Sequence, residues 1–356
     1  MKFIIVAGGT GGHIFPALSL IEKIMENKKN EVLYIGTTDR MESEIVPSKG
    51  IPYKGIKVHG IKKNIIKDFK NIFDILSSIK ECKKIISEFK PDAVVGFGGY
   101  VTFPVILAAH KLKVPVFLHE QNVIPGKTNK ILSKFSKKIF TSFKESDKYF
   151  KSNKVIYSGN PCLQRAKNIK KHDKTELGFD KNKKLILIVM GSEGSTAMNE
   201  ILLDYLRGFN ESDKEILFIT GKRQYNDLNN NLKVPSSIKL IPFYNDLPGL
   251  LKSADLIISR AGASTISEII GTSIPSILIP SPYVANNHQY YNALSLNEMG
   301  ISIMIEQKDF TKELLKDTVS KILDDKEFNK SLKEKLEFME KPNPSTIMYN
   351  EIIKNK

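Results

Sequence analysis

The sequence is poor in several residues on which other classes of protein depend. It contains no tryptophan and only two cysteines, Cys82 and Cys162, among 356 residues. Two cysteines cannot build a disulfide framework or a cysteine-rich metal site, so we expect a reducing compartment. The apolar runs have only the length of strands, so no transmembrane helix is predicted. Residues 1–15 lack the charged, apolar and small-residue regions that predict a signal peptide.

Arginine is also scarce, since only five of the 54 basic residues are arginine. The net charge of +15 is unevenly distributed. Residues 1–160 contain 27 Lys and Arg against 14 Asp and Glu, whereas residues 161–356 contain 27 against 25. Positive charge concentrated in one half favours an anionic partner surface, either nucleic acid or phospholipid headgroups. A coat of solvated lysines is the alternative that composition leaves open.

Short apolar runs recur along the chain and alternate with segments of helical periodicity. This alternation predicts βαβ units with parallel sheets, and continuous apolar strands predict sheets covered on both faces. Two sets of strands, one in each half, predict two doubly wound domains. The runs lie at 3–7, 31–36, 92–98, 114–119, 137–142, 154–159, 184–190, 215–221, 238–243, 255–260, 276–280 and 301–305.

The length suits two domains of about 150 residues each. We place the break near the polar, basic and turn-rich segment 159–174, which gives an N-terminal domain over 1–160 and a C-terminal domain over 161–342. The last helix-like segment, 343–356, could pack on either domain. We expect it to pack back on the N-terminal domain.

Four glycine-containing turns follow predicted strands and lead into predicted helices. Glycine lets the backbone approach a ligand closely, and a helix start offers N–H groups that suit phosphate. Open α/β sheets bind ligands at the carboxyl ends of their strands. The turns therefore predict a nucleotide-type cleft, although tight turns alone would also use glycine. They are AGGTGGHIFP (7–16), GFGGYVTFP (96–104), MGSEGSTAMNE (190–200) and RAGASTISE (260–268).

The residue types and spacing in these segments exclude the better-known nucleotide-binding motifs. The first turn lacks the third glycine of the dinucleotide fingerprint. Gly126-Lys127-Thr128 resembles the end of a Walker A loop, but Gln121 stands where its first glycine should be. The chain contains no Asp-x-Asp pair for a metal-bound diphosphate. We therefore expect helix dipoles and N–H groups, without a metal, to stabilise a phosphate leaving group.

Polar residues beside these turns are candidates for binding and catalysis. His13 stands at a helix start, which disfavours imidazolium, so a neutral histidine could act as a general base or could orient the loop. The segment HEQN (119–122) could contact a ligand or brace its own turn. Glu268 could complete a capping box with Thr265 as N-cap, or it could reach ribose hydroxyls. The amides of NHQYYNA (287–293) suit sugar hydroxyls.

Seven segments, in order across nearly the whole chain, resemble the motifs of the MurG family of glycosyltransferases. They are AGGTGGHIFPALS, GTTDRMES, VVGFGGYVTFP, VPVFLHEQNVIPGKTNK, SGNP, RAGASTISEI and NHQYYNA. These enzymes move N-acetylglucosamine (GlcNAc) from UDP-GlcNAc to the C4 hydroxyl of N-acetylmuramic acid in lipid I, which yields lipid II for peptidoglycan. The resemblance implies a GT-B fold, in which two Rossmann-like, doubly wound parallel-sheet domains face each other across a cleft. It also implies inversion at the anomeric carbon without a cofactor.

The resemblance assigns the C-terminal domain to the UDP-GlcNAc donor. Ser192 should meet the diphosphate, and Asn199 should support the same loop. The backbone at Tyr244 should hold uracil, Glu268 the ribose and Gln289 the GlcNAc hydroxyls. The other implied donor contacts in this domain are Ser195, Ala263, Ser264, Thr265, Ile266, Ser267 and His288, and Asn122 should reach the donor sugar from the N-terminal domain.

The N-terminal domain is assigned to lipid I, with His13 as the catalytic base. Tyr100 and Glu120 are further implied catalytic residues, and His119 belongs with them on the acceptor side. Thr10, Gly11 and Gly12 should lie with His13 over the diphosphate and the reacting centre, and Asn129 should lie on the acceptor side or support the residues there.

The chain departs from the family pattern at two places. Met190 and Glu193 stand in a phosphate loop that usually reads Gly-Gly-Ser-x-Gly-Ala, and both could weaken donor binding. The arginine that commonly follows GNP is replaced by Cys162 and Leu163, and the nearest arginine is Arg165.

The resemblance also accounts for the basic first half. Residues 61–90 combine eight lysines with two apolar helical stripes. A Rossmann helix buries one face, so a second stripe rimmed by lysine predicts a patch for an anionic membrane surface. Extra core contacts are the alternative. The stripes are Phe69, Ile72, Phe73, Leu76 and Ile79, and then Ile75, Cys82, Ile86 and Phe89. We expect a peripheral protein at the cytoplasmic face of the cell membrane, with other cell-wall synthesis proteins as partners.

Three other functions remain open from the sequence. A GT-B transferase acting on diacylglycerol, or a UDP-GlcNAc epimerase, would share the donor site. A nucleotide-binding scaffold without turnover would tolerate the unusual phosphate loop. Nucleic-acid binding is disfavoured, because arginines are few and no basic motif is interleaved with aromatic residues.

Overall fold

A computed structural model describes residues 1–58, 69–191, 196–339 and 342–356. Within helices it leaves out the side chains of 69–73, 196, 197, 199–201 and 231. The chain forms two compact units: unit 1 comprises Met1–Gln164 and Pro342–Lys356, and unit 2 comprises Arg165–Lys341. In the described part of the chain, no helix is both long and apolar enough to span a bilayer.

Unit 1 is built on a seven-stranded parallel sheet with the order β3-β2-β1-β4-β5-β6-β7. The strands are β1 Lys2–Val6, β2 Glu31–Thr37, β3 Tyr53–Ile56, β4 Ala93–Gly96, β5 Val116–Glu120, β6 Lys138–Thr141 and β7 Val155–Tyr157. The helices are α1 Gly11–Met25, α2 Glu42–Ser48, α3 Phe69–Phe89, α4 Thr102–Lys111 and α5 Lys127–Leu132, and α6 Pro161–Asn168 begins in unit 1 and ends in unit 2. Two short 3₁₀ helices, Lys144–Tyr149 and Ser152–Lys154, precede β7.

Strand β1 shows why the sheet of unit 1 is covered on both faces. Successive side chains of a strand point to opposite faces. Phe3 and Ile5 belong to a core formed with α1, whereas Ile4 and Val6 belong to a second core formed with α3 and α4. All four side chains are fully buried. The continuous apolar run is therefore explained by two cores that share one strand.

Unit 2 repeats this architecture around a six-stranded parallel sheet with the order β10-β9-β8-β11-β12-β13. The strands are β8 Lys184–Val189, β9 Lys214–Ile219, β10 Ile238–Ile241, β11 Leu256–Ser259, β12 Ser276–Leu278 and β13 Ile303–Met304. The helices are α7 Thr196–Arg207, α8 Tyr225–Asn231, α9 Leu247–Leu251, α10 Ala263–Thr272, α11 His288–Glu298, α12 Lys312–Leu323 and α13 Lys326–Phe338. Short 3₁₀ helices occur at Lys174–Leu177, Ala285–Asn287 and Gln307–Asp309.

The chain returns to unit 1 with its final helix, α14 Pro344–Lys354. Met348 and Ile352 on this helix are fully buried in the core that contains α1. Asn30 donates from Nδ2 to the hydroxyl of Tyr349 over 3.0 Å. These contacts fix the last helix on the same face of the sheet as α1.

Each of the twelve expected apolar runs overlaps a strand, and the described residues add β3. Strand β3 reads Tyr-Lys-Gly-Ile and was missed because it has no apolar run. On α3, Ile79, Cys82 and Ile86 are buried, but Leu76 is 53% exposed. Ile75 and Phe89 also pack against the core, so the second expected stripe faces inward. Residues 61–68 and the side chains of Phe69, Ile72 and Phe73 lie outside the described residues.

Candidate active site

Each sheet reverses its strand order at one point, and open α/β sheets bind ligands beside such a switch point. In unit 1 the reversal lies between β1 and β4, and in unit 2 it lies between β8 and β11. The turns that follow these four strands are the four glycine-containing turns expected from the sequence. The turns are therefore arranged as one pair in each unit.

The two turns of unit 1 contact each other through their glycines. Gly9, Gly98 and Gly99 have φ angles of 90°, 106° and 86°, which lie in the region that favours glycine. A Cβ on Gly99 would lie 2.3 Å from the carbonyl oxygen of Gly8. A Cβ on Gly98 would lie 2.9 Å from Cδ2 of His13. Glycine is thus required for the close approach of the two turns and for the space that the imidazole occupies.

His13 is the third residue of α1, directly beside these turns. Its Nδ1 lies 3.1 Å from the carbonyl oxygen of Gly8 and 3.3 Å from Oγ1 of Thr10. A carbonyl oxygen can only accept, so the contact with Gly8 favours the tautomer with the proton on Nδ1 and the lone pair on Nε2. Thr10 is exposed, and Tyr100 on the second turn is 53% exposed. This tautomer suits a general base.

His119 and Gln121 brace the end of β5 from the inside. His119 is fully buried, and its Nε2 donates to the carbonyl oxygen of Gly159 over 3.2 Å. Its Nδ1 accepts from Nε2 of Gln121 over 3.1 Å, and the same amide donates to the carbonyl of Phe97 over 2.7 Å. Burial lowers the pKa of His119 to about 4, although the Gly159 carbonyl opposes this. In the segment HEQN (119–122), His119 and Gln121 therefore brace their own turn, which is the alternative to ligand contact that the sequence left open.

Glu120 organises the segment that follows β5. Its side chain is 1% exposed and accepts four N–H bonds. Oε1 accepts from the backbone and side-chain amides of Asn122 over 3.0 and 3.4 Å. Oε2 accepts from the Gly126 backbone over 3.1 Å and from Asn129 over 2.9 Å. Burial raises the pKa of Glu120, and these donors oppose the rise. This geometry favours positioning over direct proton transfer, so the catalytic role of Glu120 stays a prediction.

The turn after β11 leads into α10 with Gly262 as the N-cap. Ile266 donates its backbone N–H to the carbonyl of Gly262 over 2.9 Å. The expected capping box with Thr265 as N-cap is therefore wrong, because glycine caps the helix and α10 already begins at Ala263. The N–H groups at 263–265 belong to the first turn of α10, at the positive end of the helix dipole. They form the kind of helix start that suits a phosphate.

Glu268 lies one turn further along α10 and is half-buried. Burial raises the pKa of Glu268 to about 7; Arg165 lowers it and Asp246 raises it. Asp246 pairs with Nε2 of His172 over 3.0 Å and with Arg165 over 3.4 Å. His172 Nδ1 lies 2.9 Å from the hydroxyl of Tyr244. A network from Tyr244 to Arg165 therefore borders Glu268 and engages the arginine nearest to the GNP segment.

The segment NHQYYNA spans the start of α11. Gln289 accepts the backbone N–H of Ser281 through Oε1 over 2.9 Å, which fixes the orientation of its amide. His288 is the first residue of the helix, and burial lowers its pKa. Asn292 is fully buried and donates to the carbonyl of Ala261 over 3.3 Å. Asn292 thus links the amide-bearing helix to the turn before α10.

Three buried residues at these edges were not expected from the sequence, although each stands in or beside a motif. The Arg260 guanidinium, 7% exposed, donates to the carbonyls of residues 279 and 280 over 3.1 and 3.3 Å and to Gln307 over 2.8 Å. Asn292 makes the contact just described. Glu42, within GTTDRMES, is fully buried and accepts the N–H of Gly9, which belongs to the first turn.

Part of the glycine-containing turn after β8 falls outside the described residues. Ser192, Glu193 and Ser195 lie there, as does the side chain of Asn199. Met190 is 2% exposed and packs in the core of unit 2. Its bulk therefore fills the core, and the effect of Met190 on donor binding stays a prediction.

Comparison with known proteins shows which family the chain resembles. Residues 3–141 match the glycosyltransferase family 28 N-terminal domain, and residues 185–344 match its C-terminal domain. The UDP-N-acetylglucosamine–N-acetylmuramyl-(pentapeptide) pyrophosphoryl-undecaprenol N-acetylglucosamine transferase of Thermoanaerobacter sp. (strain X514) is 40% identical over 335 residues, which cover 91% of each chain. The transferase of the same name from Bacillus subtilis (strain 168) is 38% identical over 356 residues, which cover 98% of each.

The chain belongs to the MurG family of glycosyltransferases. The crystal structure of Acinetobacter baumannii MurG agrees, with a TM-score of 0.78 and 27% identity over 99% of this chain and 100% of that one. The predicted fold class, a GT-B fold with two Rossmann-like, doubly wound parallel sheets, is confirmed. The two glycosyltransferase family 28 domains each contain one switch point, so the glycine turns lie in the parts of the chain that match the family models.

Proposed function

We propose that this protein transfers GlcNAc from UDP-GlcNAc to the C4 hydroxyl of N-acetylmuramic acid in lipid I and thereby produces lipid II for peptidoglycan. The observation that carries the proposal is the similarity to transferases of that name over 91–98% of the chain. On this proposal unit 2 binds the donor, and unit 1 receives the acceptor and supplies the base.

The donor site is assigned to the edge of unit 2 that contains the start of α10. The N–H groups at 263–265 would bind the departing diphosphate, since a helix start favours anions. Glu268 would accept hydrogen bonds from the ribose, which suits a carboxylate that makes no side-chain hydrogen bond within the described residues. Gln289, oriented by Ser281, would donate to GlcNAc hydroxyls. The backbone beside Tyr244 would hold uracil.

The reaction would be a single displacement at the anomeric carbon. Nε2 of His13 takes the proton of the acceptor C4 hydroxyl as its oxygen bonds to C1 of GlcNAc. The bond from C1 to the diphosphate oxygen breaks at the same centre, so the configuration inverts and UDP leaves as the anion. N–H donors at a helix start stabilise the charge that develops on the leaving group. The tautomer of His13 supports its assignment as the base.

The membrane location rests on three neighbouring helices of unit 1. Helix α4 packs against both α3 and α5. Leu76, Leu112 and Ile131, one on or next to each helix, are 53%, 37% and 51% exposed. Exposed lysines on and beside the same helices are Lys80, Lys84, Lys111, Lys113, Lys127, Lys130 and Lys134. Apolar side chains among lysines suit the surface of an anionic bilayer. We infer peripheral binding at the cytoplasmic face, where other cell-wall synthesis proteins would be partners.

Release of UDP from UDP-GlcNAc tests the function directly. We expect rapid release with lipid I, and only background release with diacylglycerol or without acceptor. Release that needs diacylglycerol would indicate a glycolipid synthase. Conversion of the donor without any acceptor would indicate an epimerase or a hydrolase, and either result would contradict the proposal.

A further inference from the structure

Glu42 is a fully buried carboxylate beside the candidate catalytic histidine. All of its recorded partners donate: Gly9 N–H to Oε2 over 3.2 Å, and the Thr37 backbone N–H and hydroxyl to Oε1 over 3.2 and 2.8 Å. In the described part of the chain, no lysine or arginine pairs with Glu42. Burying an anion that is held by three donors and no cation is costly, so a function that needs its charge would explain why it is there.

The two faces of one peptide group connect Glu42 to His13. The N–H of Gly9 and the C=O of Gly8 belong to the same peptide unit. Glu42 accepts from that N–H, and His13 Nδ1 donates to that C=O over 3.1 Å. Hydrogen bonds in a chain polarise one another in a low-dielectric environment. The negative charge of Glu42 therefore strengthens the carbonyl as an acceptor for the imidazole N–H.

We propose that Glu42 acts as a positioning residue for His13, through a carboxylate–peptide–imidazole relay that fixes the Nδ1–H tautomer and stabilises the imidazolium formed during transfer. This inference rests on the proposed role of His13 as the base. No proton crosses the peptide: Nε2 takes the proton of the acceptor hydroxyl, and Nδ1 keeps its own. The start of α1 disfavours a cation at position 13, and the carboxylate offsets that effect.

Among the described residues, Glu42 is the carboxylate that hydrogen-bonds the Gly8–Gly9 peptide, and a second carboxylate, Asp39, acts on the neighbouring Tyr53. His119 faces His13 from β5 and is held neutral by burial, which lowers its pKa to about 4. Tyr34 and Tyr53 border Glu42 from β2 and β3. Burial raises the pKa of both phenols, and the negative charge of Glu42 raises it further. Both tyrosines therefore stay neutral.

The relay is rigid because glycine contacts hold its peptide from two sides. A Cβ on Gly8 would lie 2.5 Å from Oε1 of Glu42. A Cβ on Gly99 would lie 2.3 Å from the Gly8 carbonyl oxygen. The peptide between Gly8 and Gly9 thus has the carboxylate on one side and the second turn on the other.

The test is a pair of measurements on the full-length protein, with Glu42→Gln as the variant and Glu44→Gln, exposed on the same helix, as the control. Long-range ¹H–¹⁵N NMR of histidine-labelled protein reports the tautomer and titration of each of the six histidines. His13→Gln assigns the relevant signal. Steady-state UDP release gives kcat, KM and the pH profile of kcat/KM.

We expect the Nδ1–H tautomer at His13 in the wild type. In Glu42→Gln the titration midpoint of His13 should fall by about 0.5–1 pH unit, less than the 1–3 units typical of a directly adjacent charge. The acidic limb of kcat/KM should move with it and kcat should fall, while KM for UDP-GlcNAc changes less than about twofold. Glu44→Gln should change none of these.

An Nε2–H tautomer in the wild type would overturn the relay without any variant, as would an unchanged His13 titration in folded Glu42→Gln. If the NMR titration shifts while the acidic limb stays in place, the relay stands and the role of His13 as the base is wrong. The two proposals thus fail in distinguishable ways.

Discussion

Replacing Glu268 with glutamine should make the protein more stable and a weaker donor binder at the same time. Burial raises the pKa of this carboxyl from 4.5 to about 7. The folded protein therefore holds the proton more tightly than the unfolded chain. The contribution of Glu268 to the free energy of unfolding is fully present below pH 4.5 and is lost as the pH rises through about 7. At pH 8 the wild type contains an ionised, half-buried carboxylate without a ligand, whereas glutamine stays neutral.

The size of the effect follows from the difference between the two pKa values. A difference of roughly 2.5 pH units corresponds to about 3 kcal/mol as an upper bound. Because the side chain is only half-buried, water screens part of this, and we expect roughly 1–2 kcal/mol at pH 8. For a domain of this size the melting temperature should rise by roughly 2–8 °C. Near pH 4.5 the two proteins should melt together.

Thermal melts followed by circular dichroism at pH 4.5 and pH 8 suit a chain without tryptophan. Glu298→Gln, exposed on α11, is the matched control and should melt with the wild type at both values. The reasoning would be refuted if Glu268→Gln melted at a lower temperature than the wild type at pH 8. It would also be refuted if the melting temperatures of the two proteins differed by the same amount at both pH values.

Donor binding should change in the opposite direction. Hydrogen bonds from ribose hydroxyls to a carboxylate contribute about 1.5–3 kcal/mol, so the variant should bind UDP roughly 10–100-fold more weakly at pH 8 by calorimetry. Wild-type affinity should fall as the pH is lowered through about 7, because protonation removes an acceptor. The variant should lack this pH dependence.

Three other substitutions test the remaining assignments. His13→Ala should lower kcat by about 10²–10⁴ in the UDP-release assay, and near-normal turnover in a folded variant would remove His13 as the base. Gly99→Ala should destabilise unit 1 by about 1–3 kcal/mol or more in thermal melts, since its Cβ would meet the Gly8 carbonyl at 2.3 Å, whereas Gly126→Ala, which has open space at the N-cap of α5, should cost less. Ile131→Glu should weaken sedimentation with anionic vesicles, and salt should weaken wild-type binding; salt-insensitive binding would contradict the membrane patch.

The strands were predictable because burial on both faces leaves a continuous apolar run. Strand β3 was not, because its edge position needs fewer apolar residues and Tyr53-Lys54-Gly55-Ile56 resembles a turn. The capping box with Thr265 as N-cap was wrong because the helix begins earlier, after Gly262. A glycine before a helix can serve as its N-cap, and the spacing of Thr265 and Glu268 alone cannot locate the helix start.

The candidate site was predictable where its residues follow strands directly. His13 and Glu268 stand beside glycine turns, so their positions at sheet edges follow from the topology. The contact from Glu42 to Gly9 was not predictable, since it joins residues 33 positions apart through a turn after β2. The bracing role of His119 also depends on Gly159, which is 40 positions away in the chain.

A crystal structure with bound UDP-GlcNAc tests the central claim most directly. The account predicts the diphosphate within about 3 Å of backbone N–H groups at 263–265, with a ribose hydroxyl on the carboxylate of Glu268. A diphosphate bound away from the start of α10, with Glu268 out of reach of the ribose, would contradict the assignment of the donor site.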